Sequence, residues 1–450
     1  MNNKPDRLLI QSGRIVDPSQ SIDETGNLLI EEGKISGKGR EEIPSQRHYT
    51  VLDAKGLVVC PGFVDLHCHL RQPGFDEKET IASGTRAAAR GGFTIICCMP
   101  NTEPPMDNGA AIDYVKSIAT SEGVIRVLPI GCVSQGRKGK ELTDMNEMAA
   151  AGVIGYSDDG DPVSNSNLMR QALEHSRLLD LLVIDHCEDT TLSEGGQINE
   201  GTLSARLGLK GIPAAAEEIM VTRNLALARQ LPGARLHIAH VSTKGSVELL
   251  CRAKEAGIAV TAEVTPHHLT LTEEKVLGYD TNAKVKPPLR TERDIQALIQ
   301  GLRNDVIDII ATDHAPHTEA DKSGDFARAA FGISVFETAL GSLMSLVHSG
   351  ELSLPALISK LTSEPARILG DKHGKLGTLK IGTPADVTIF DPTLEWVVDT
   401  GAFASKGKNT PLVGSRLKGK VMATISQGQL VYKDDAIKLT NKFSGKVSDD

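Results

Sequence analysis

Six short stretches of the chain carry side chains able to do chemistry, and the densest spans residues 64–74, VDLHCHLRQPG. In an extended strand Asp65, His67, His69 and Arg71 point one way, and Val64, Leu66, Cys68 and Leu70 the other. A carboxylate, two imidazoles and a guanidinium are costly to bury in a row unless a metal or an anion satisfies them. The other five stretches are MPNT with Asn101, YSDDG with Asp158 and Asp159, IDHCED with His186, HIAHVS with His240, and IATDHAPH with Asp313, His314 and His317. Imidazole and carboxylate together suit zinc. An isolated histidine is more often a satisfied core or surface residue than a ligand. That bland reading would have to repeat at every stretch, so it loses.

The elements between these stretches say how they meet. Residues 7–59 read as short β segments with turn punctuation, RLLIQSGRIVDP, NLLIEEGKISGKG and YTVLDAKGLVV. From Cys60 strand-like and helical runs alternate: FTIICCMP, VIRVLPIG, VIGYS, LVIDHCED, RLHIAHVS, IAVTAEV and VIDIIATDH each follow an amphipathic segment. About eight such strands predict a parallel sheet, and their count points to a closed (β/α)8 TIM-type barrel. Barrel enzymes place their chemistry at the C-terminal strand ends, where the polar stretches fall. Two helices are expected near 332–349 and 353–369. After Lys372 β character returns, and the two β-rich ends are expected to pair in a small composite β-sandwich. The division is 1–58 and 373–450 for the sandwich with 59–372 for the barrel. The polar tail from Asn441 is expected to fray. Residues 315–331 read as a polar lid short of apolar anchors.

Composition narrows the class of protein. The net charge of −9, from 49 basic and 58 acidic side chains in 450 residues, leaves no footprint for nucleic acid. No apolar span reaches the ~18 residues of a membrane helix, and the N-terminus lacks a signal-peptide core. Seven scattered cysteines in apolar runs fit buried thiols in a reducing, cytoplasmic setting better than a disulfide framework. Glycine pairs such as Gly91–Gly92 lack a phosphate-loop context.

The run HxHxRxPG at 67–74, with MPNT, DHAPH, KVKPPLR, AAFGI and SKGKNTP further on, resembles the cyclic amidohydrolases, and among them the class I bacterial dihydroorotases. Hydantoinases and many relatives bridge two metals with a carboxylated lysine, and VIGYSDDG offers no lysine there. The resemblance implies two Zn2+ per subunit. His67, His69 and Asp313 would hold the more buried ion, His186 and His240 the second, with Asp159 as the bridge and Asp158 a turn or outer carboxylate. It implies reversible cyclisation of N-carbamoyl-L-aspartate to dihydroorotate, with a hydroxide shared by the metals and Asp313 as general base and acid. Arg71, Asn101 and His317 would clamp the substrate carboxylate, His69 would border it, and Phe331–Gly332 would meet the ring.

Two departures stand out: Lys286 replaces the usual Asn before Pro-Pro, and Ala330 the usual Pro before Phe331. Lys286 either reaches the substrate as an ammonium donor or points away. In PHHL, His267 and His268 would face opposite sides of an extended chain, so at most one joins the site. His48, His175, His237, His348 and His373 read as incidental. A homo-oligomer and an aspartate transcarbamoylase partner are further implications. The rivals are an allantoinase or dihydropyrimidinase, and a non-catalytic subunit that scaffolds aspartate transcarbamoylase.

Overall fold

The computed structural model describes residues 7–39 and 49–442. Among the described residues five strands come first: β1 Arg7–Asp17, β2 Ile22–Glu31, β3 Lys34–Gly39, β4 Tyr49–Asp53 and β5 Val58–Pro61. Ten follow in the middle: β6 Phe63–Cys68, β7 Phe93–Cys98, β8 Arg126–Pro129, β9 Gly155–Tyr156, β10 Leu182–Asp185, β11 Ile198–Asn199, β12 Gly211–Ile212, β13 Arg235–Ile238, β14 Val260–Val264 and β15 Ile309–Ile310. Four close the chain: β16 Val387–Val397, β17 Arg416–Ser426, β18 Gln429–Lys433 and β19 Leu439–Lys442.

The two ends share one nine-stranded sheet, ordered β18-β17-β16-β5-β1-β2-β3, with β4 on β1 and β19 on β4. The seam is antiparallel, Val387 opposite Pro61 and Phe390 opposite Val58. Alternation drives it: Leu8, Ile10, Ile15, Val59, Val387 and Ile389 bury one face in a common apolar cluster. The expected pairing of the ends is therefore present. Of the tail expected to fray, Asn441 and Lys442 instead pair with Thr50 and Tyr49 in β19. Residues 443–450, and His48, lie outside the described residues.

The middle strands form parallel sheets whose apolar runs, such as FTIICC and LVID, are buried throughout. One sheet is β6-β7-β8, and the other β15-β14-β13-β10-β9. Isolated parallel bridges join them at both margins, Gly131 with Tyr156 and Cys68 with His314. At the second margin His69 N donates to His314 O at 2.9 Å and Asp313 N to His67 O at 2.9 Å. That ladder brings the first and last polar strand ends side by side. A smaller pair, β11-β12, sits beyond β10.

Helices cover the sheets in the expected alternation. Helix Glu292–Arg303 is typical: Thr291 and Asp294 close a capping box, and Ile295, Leu298, Ile299 and Leu302 form the buried stripe. Each such side chain contributes roughly 1.5–3 kcal/mol on burial. The expected helix at 332–349 starts later, at Phe336, because 332–334 run extended and Ser334 N bonds Asn409 O. The one expected at 353–369 is two, Leu354–Leu361 and Ser363–Leu369, broken at Thr362. Pro365 has no N–H to continue the ladder and its ring crowds the preceding turn.

Residues 315–331 are better anchored than their polarity implies. Phe326 is buried, Lys284 Nζ donates to the carbonyls of Phe326 and Ala327 at 2.8 and 3.0 Å, and Lys322 Nζ to those of Ala330 and Lys284 at 2.7 and 3.2 Å. Burial lowers both ammonium groups, Lys284 to about 8 and Lys322 to about 7. Losing one buried staple costs about 1–3 kcal/mol. Lys322→Met should therefore raise the rate of limited proteolysis within 315–331 by roughly 5- to 150-fold. Equal digestion of the variant and the parent would show that the anchor is idle.

Candidate metal centre and substrate pocket

The strand ends deliver their side chains to one place. His67 lies on β6 and His69 just past it, Asp159 follows β9, His186 follows β10, His240 follows β13 and Asp313 follows β15. Beneath them Asp65 accepts from Thr312 N and Oγ1, both at 2.7 Å, which fixes the exit of β15. Arg71, His240 and Asp313 hold positive φ, 64°, 30° and 47°. Such backbone costs about 1–3 kcal/mol per residue and persists where the surroundings force a side chain into a site.

Asp159 is the hub. Its Oδ1 lies 3.5 Å from His67 Nε2, 3.4 Å from His186 Nδ1 and 3.4 Å from His240 Nε2, while its Oδ2 lies 3.5 Å from His69 Nε2. Asp313 Oδ1 sits 3.0 Å from His69 Nε2 and 3.6 Å from His67 Nε2. Most of these separations exceed a hydrogen bond. They match two ligands of one tetrahedral ion, which stand roughly 3.3–3.4 Å apart when each is about 2.0–2.1 Å from the metal. His67 Nε2 and Asp159 Oδ1 are buried with no hydrogen-bond partner, an arrangement that a cation would satisfy. The ligand atoms of His67, His69 and Asp313, and those of His67, Asp159 and His240, fall within 4.8 Å of one another. The donor set fits a metal centre.

The electrostatics agree. Burial opposes charge on His67, but the facing carboxylates of Asp159 and Glu263 outweigh it and hold the imidazolium well above its usual range. His186 is driven the same way, to about 10, by Asp159 and Glu188 against its burial. The pocket favours positive charge, and a divalent cation supplies it while leaving the imidazoles neutral.

Outer partners orient each ring. His67 Nδ1 meets Glu263 Oε1 at 2.5 Å, and Glu263 Oε2 meets His237 Nε2 at 3.0 Å. His237, read as incidental, is thus part of the support. His69 Nδ1 meets Asn101 Oδ1 at 2.8 Å, and His186 Nε2 meets Glu188 Oε2 at 2.8 Å. Hydrogen-bonded carboxylates and carbonyls behind ligating histidines fix their tautomers. Arg137 Nη2 grips the backbone carbonyl of Asp159 at 2.5 Å. Asp158 turns away to Val133 N at 2.9 Å and Ser134 N at 3.1 Å.

Above the centre is a cleft with an empty volume of ≈ 730 Å³, lined by His69, Arg71, Asn101, Asp159, Gly160, His186, His240, Lys286, Asp313, Ala315, His317, Phe331 and Gly332. Every residue named for substrate from sequence borders it, and His67 lies beneath. Arg71 Nε donates to Pro316 O at 3.2 Å, and burial pulls the guanidinium down to about 10. Among the described residues no carboxylate lies within ion-pair distance of it. His317 Nε2 donates to Phe331 O at 2.8 Å, and burial with the nearby Arg71 charge holds it down to about 3. Gly332 commits its N–H to Lys284 O, and a Cβ there would stand 2.7 Å from Ala315 O at a φ of +142°. Lys286 borders the cleft with its Nζ 2.9 Å from Glu188 Oε1.

Asn409 was missed by sequence reasoning. It is buried, its Oδ1 accepts from His317 N and Ser334 Oγ at 2.9 Å each, and its Nδ2 donates to Ala315 O at 3.1 Å and Gly332 O at 3.0 Å. One amide thus pins the lip of the cleft. PHHL forms a helical turn, Pro266–Thr270, rather than an extended chain. His268 is tied to Thr265 and Pro287 O, and His267 is buried with both ring nitrogens unpartnered. His314 stacks on Phe336 with centroids 4.2 Å apart.

Sequence and fold both have counterparts among known proteins. A family model described as dihydro-orotase-like matches residues 56–246. A dihydroorotase of Thermoanaerobacter sp. (strain X514) is 51% identical over 430 residues, covering 95% of this chain and 98% of the relative. One from Aquifex aeolicus (strain VF5) is 47% identical over 429 residues, 95% and 100% of the two chains. Among solved structures, an L-hydantoinase (dihydropyrimidinase) from Arthrobacter aurescens shares the fold at a TM-score of 0.85, with 24% identity over 97% of this chain and 98% of that one. With about half its residues shared along nearly the full length of such relatives, the chain belongs to the dihydroorotase family.

Proposed function

We propose that the chain is a zinc-dependent dihydroorotase that interconverts N-carbamoyl-L-aspartate and (S)-dihydroorotate plus water. The observation that carries this is the meeting of six metal-type ligands, five lining one cleft and His67 beneath it, with the half-buried Arg71 guanidinium, which among the described residues has no carboxylate partner. His67, His69 and Asp313 would hold one ion, His186 and His240 the other, and Asp159 both. Two zinc ions there supply Lewis acidity toward a carbonyl oxygen and a water of lowered pKa. Arg71 receives the substrate carboxylate through its planar fork, with Asn101 and His317 beside it. Asp313, held against His69, accepts a proton and returns it to the leaving ring nitrogen during hydrolysis. The reverse sequence closes the ring. Hydrolysis creates a carboxylic acid ionised at neutral pH, so ring opening gains about tenfold per pH unit above a pKa of about 4.

The rivals fit less well. Dihydrouracil and allantoin carry no carboxylate, and would leave the half-buried Arg71 charge without a counter-ion among the described residues. A scaffolding subunit would not need six converging ligands. The two parallel sheets and their two bridging pairs support a closed (β/α)8 barrel over 59–372, and the nine-stranded sheet supports a composite sandwich from 1–58 and 373–450, with Val58–Pro61 at the seam. Six buried free thiols support a reducing, cytoplasmic setting, and no helix of the described residues is long and apolar enough to cross a membrane. A homo-oligomer and an aspartate transcarbamoylase partner rest on family resemblance alone.

Purified protein should carry about two zinc ions by atomic absorption and hydrolyse dihydroorotate in preference to dihydrouracil and allantoin. A preference for either of the latter would overturn the substrate assignment.

A further inference from the structure

We propose that Glu188 and Lys286 form a positioning pair that presents His186 to the second metal and sets how tightly that metal is held. The inference rests on the reading of His186 as a ligand. An imidazole offers a lone pair on one nitrogen only when the other carries the proton. Glu188 Oε2 accepts from His186 Nε2 at 2.8 Å, and the opposite nitrogen, Nδ1, faces the other ligand atoms, His240 Nε2 at 2.8 Å and Asp159 Oδ1 at 3.4 Å. Glu188 is itself buried, and a lone buried carboxylate is costly. Lys286 Nζ balances it from the other oxygen at 2.9 Å. The ammonium reaches in from the rim of the cleft, with its Nζ 5.7 Å from the Phe331 ring centroid.

This gives Lys286 a task that an asparagine at the same position could not perform. An amide on a shorter stem brings no charge to Glu188. Lys286 neither turns away nor serves the substrate alone: it faces backwards, into the support of a ligand. The pair is thus a charged brace whose two members lie 98 residues apart in sequence.

The test is zinc affinity, measured on metal-free protein by titration against a competing chelator. The parent should show two binding events. Glu188→Gln and Lys286→Met should weaken the second by roughly 10- to 100-fold, the usual cost of removing an outer partner, and leave the first within about twofold. Lys286→Asn should behave as Lys286→Met does, and Lys286→Arg should recover most of the loss. The intact first event reports that each variant is folded. If His186→Ala keeps both zinc ions, the ligand assignment fails. If His186→Ala loses the second ion while Glu188→Gln and Lys286→Met keep parental affinity, or change only the KM for dihydroorotate, the brace is refuted and the ligand assignment survives.

Discussion

Asp159→Ala should purify with about one zinc ion or less and turn over almost no substrate, whereas Asp158→Ala should keep two. The two carboxylates are neighbours in sequence and do different work. Asp159 places one oxygen among His67, His186 and His240 and the other on His69, so it alone can serve both sides of the centre. Without it two dications would face each other with no bridging negative charge, and the second would leave first. Asp158 instead caps Val133 N and Ser134 N, and burial raises it to about 6. Its loss orphans buried N–H groups at a cost of about 1–3 kcal/mol each, a stability effect with zinc retained. Zinc content of both variants decides the matter, and loss of metal from Asp158→Ala but not Asp159→Ala would reverse the assignment.

Arg71→Met should lower kcat/KM for dihydroorotate by about 30- to several-thousand-fold and leave zinc content unchanged. The range corresponds to roughly 2–5 kcal/mol for a buried charge pair deprived of one partner. The side chain is already committed through Nε to Pro316 O, so its outer edge is pre-aimed and little rotamer entropy remains to be lost. Arg71→Lys should recover only part of the rate, because an ammonium cannot match both carboxylate oxygens. Turnover of dihydrouracil, which has no carboxylate, should change much less. Equal losses on both substrates would mean that Arg71 supports the cleft rather than the substrate.

The ligands were legible because strand alternation makes polar strand ends conspicuous. His67 and His69 share a face two residues apart, and His186, His240 and Asp313 each follow an apolar run that predicts a buried strand. What the ligands lean on was not legible. Glu263 reaches His67 across 196 positions, and Asn409 reaches His317 across 92. No local period marks such partners, since only the closed set of hydrogen bonds gives them meaning. Glu188 was nearer at hand, two residues past His186, but its role depends on Lys286. His237 was misjudged because its apolar strand neighbours suggest an ordinary core position. Pro365 is a visible breaker within the helix expected at 353–369. The staples of 315–331 were hidden because lysines read as solvent-facing, whereas Lys284 and Lys322 spend their ammonium groups on carbonyls.

The seam between β5 and β16 also governs the order in which the chain can be finished on the ribosome. β1, β2 and β3 are consecutive and antiparallel, so they can zip together as soon as they emerge. β5 must wait for β16, and β4 for β19, each more than three hundred residues downstream. At roughly 5–20 residues per second that delay is on the order of tens of seconds, with two strand edges open to a neighbouring nascent chain. The catalytic strands, encoded in between, are all translated before the sheet closes. A protein cut short before Val387 would thus retain every metal-type ligand while losing Asn409 at the lip of the cleft and leaving the edge of β5 unfinished.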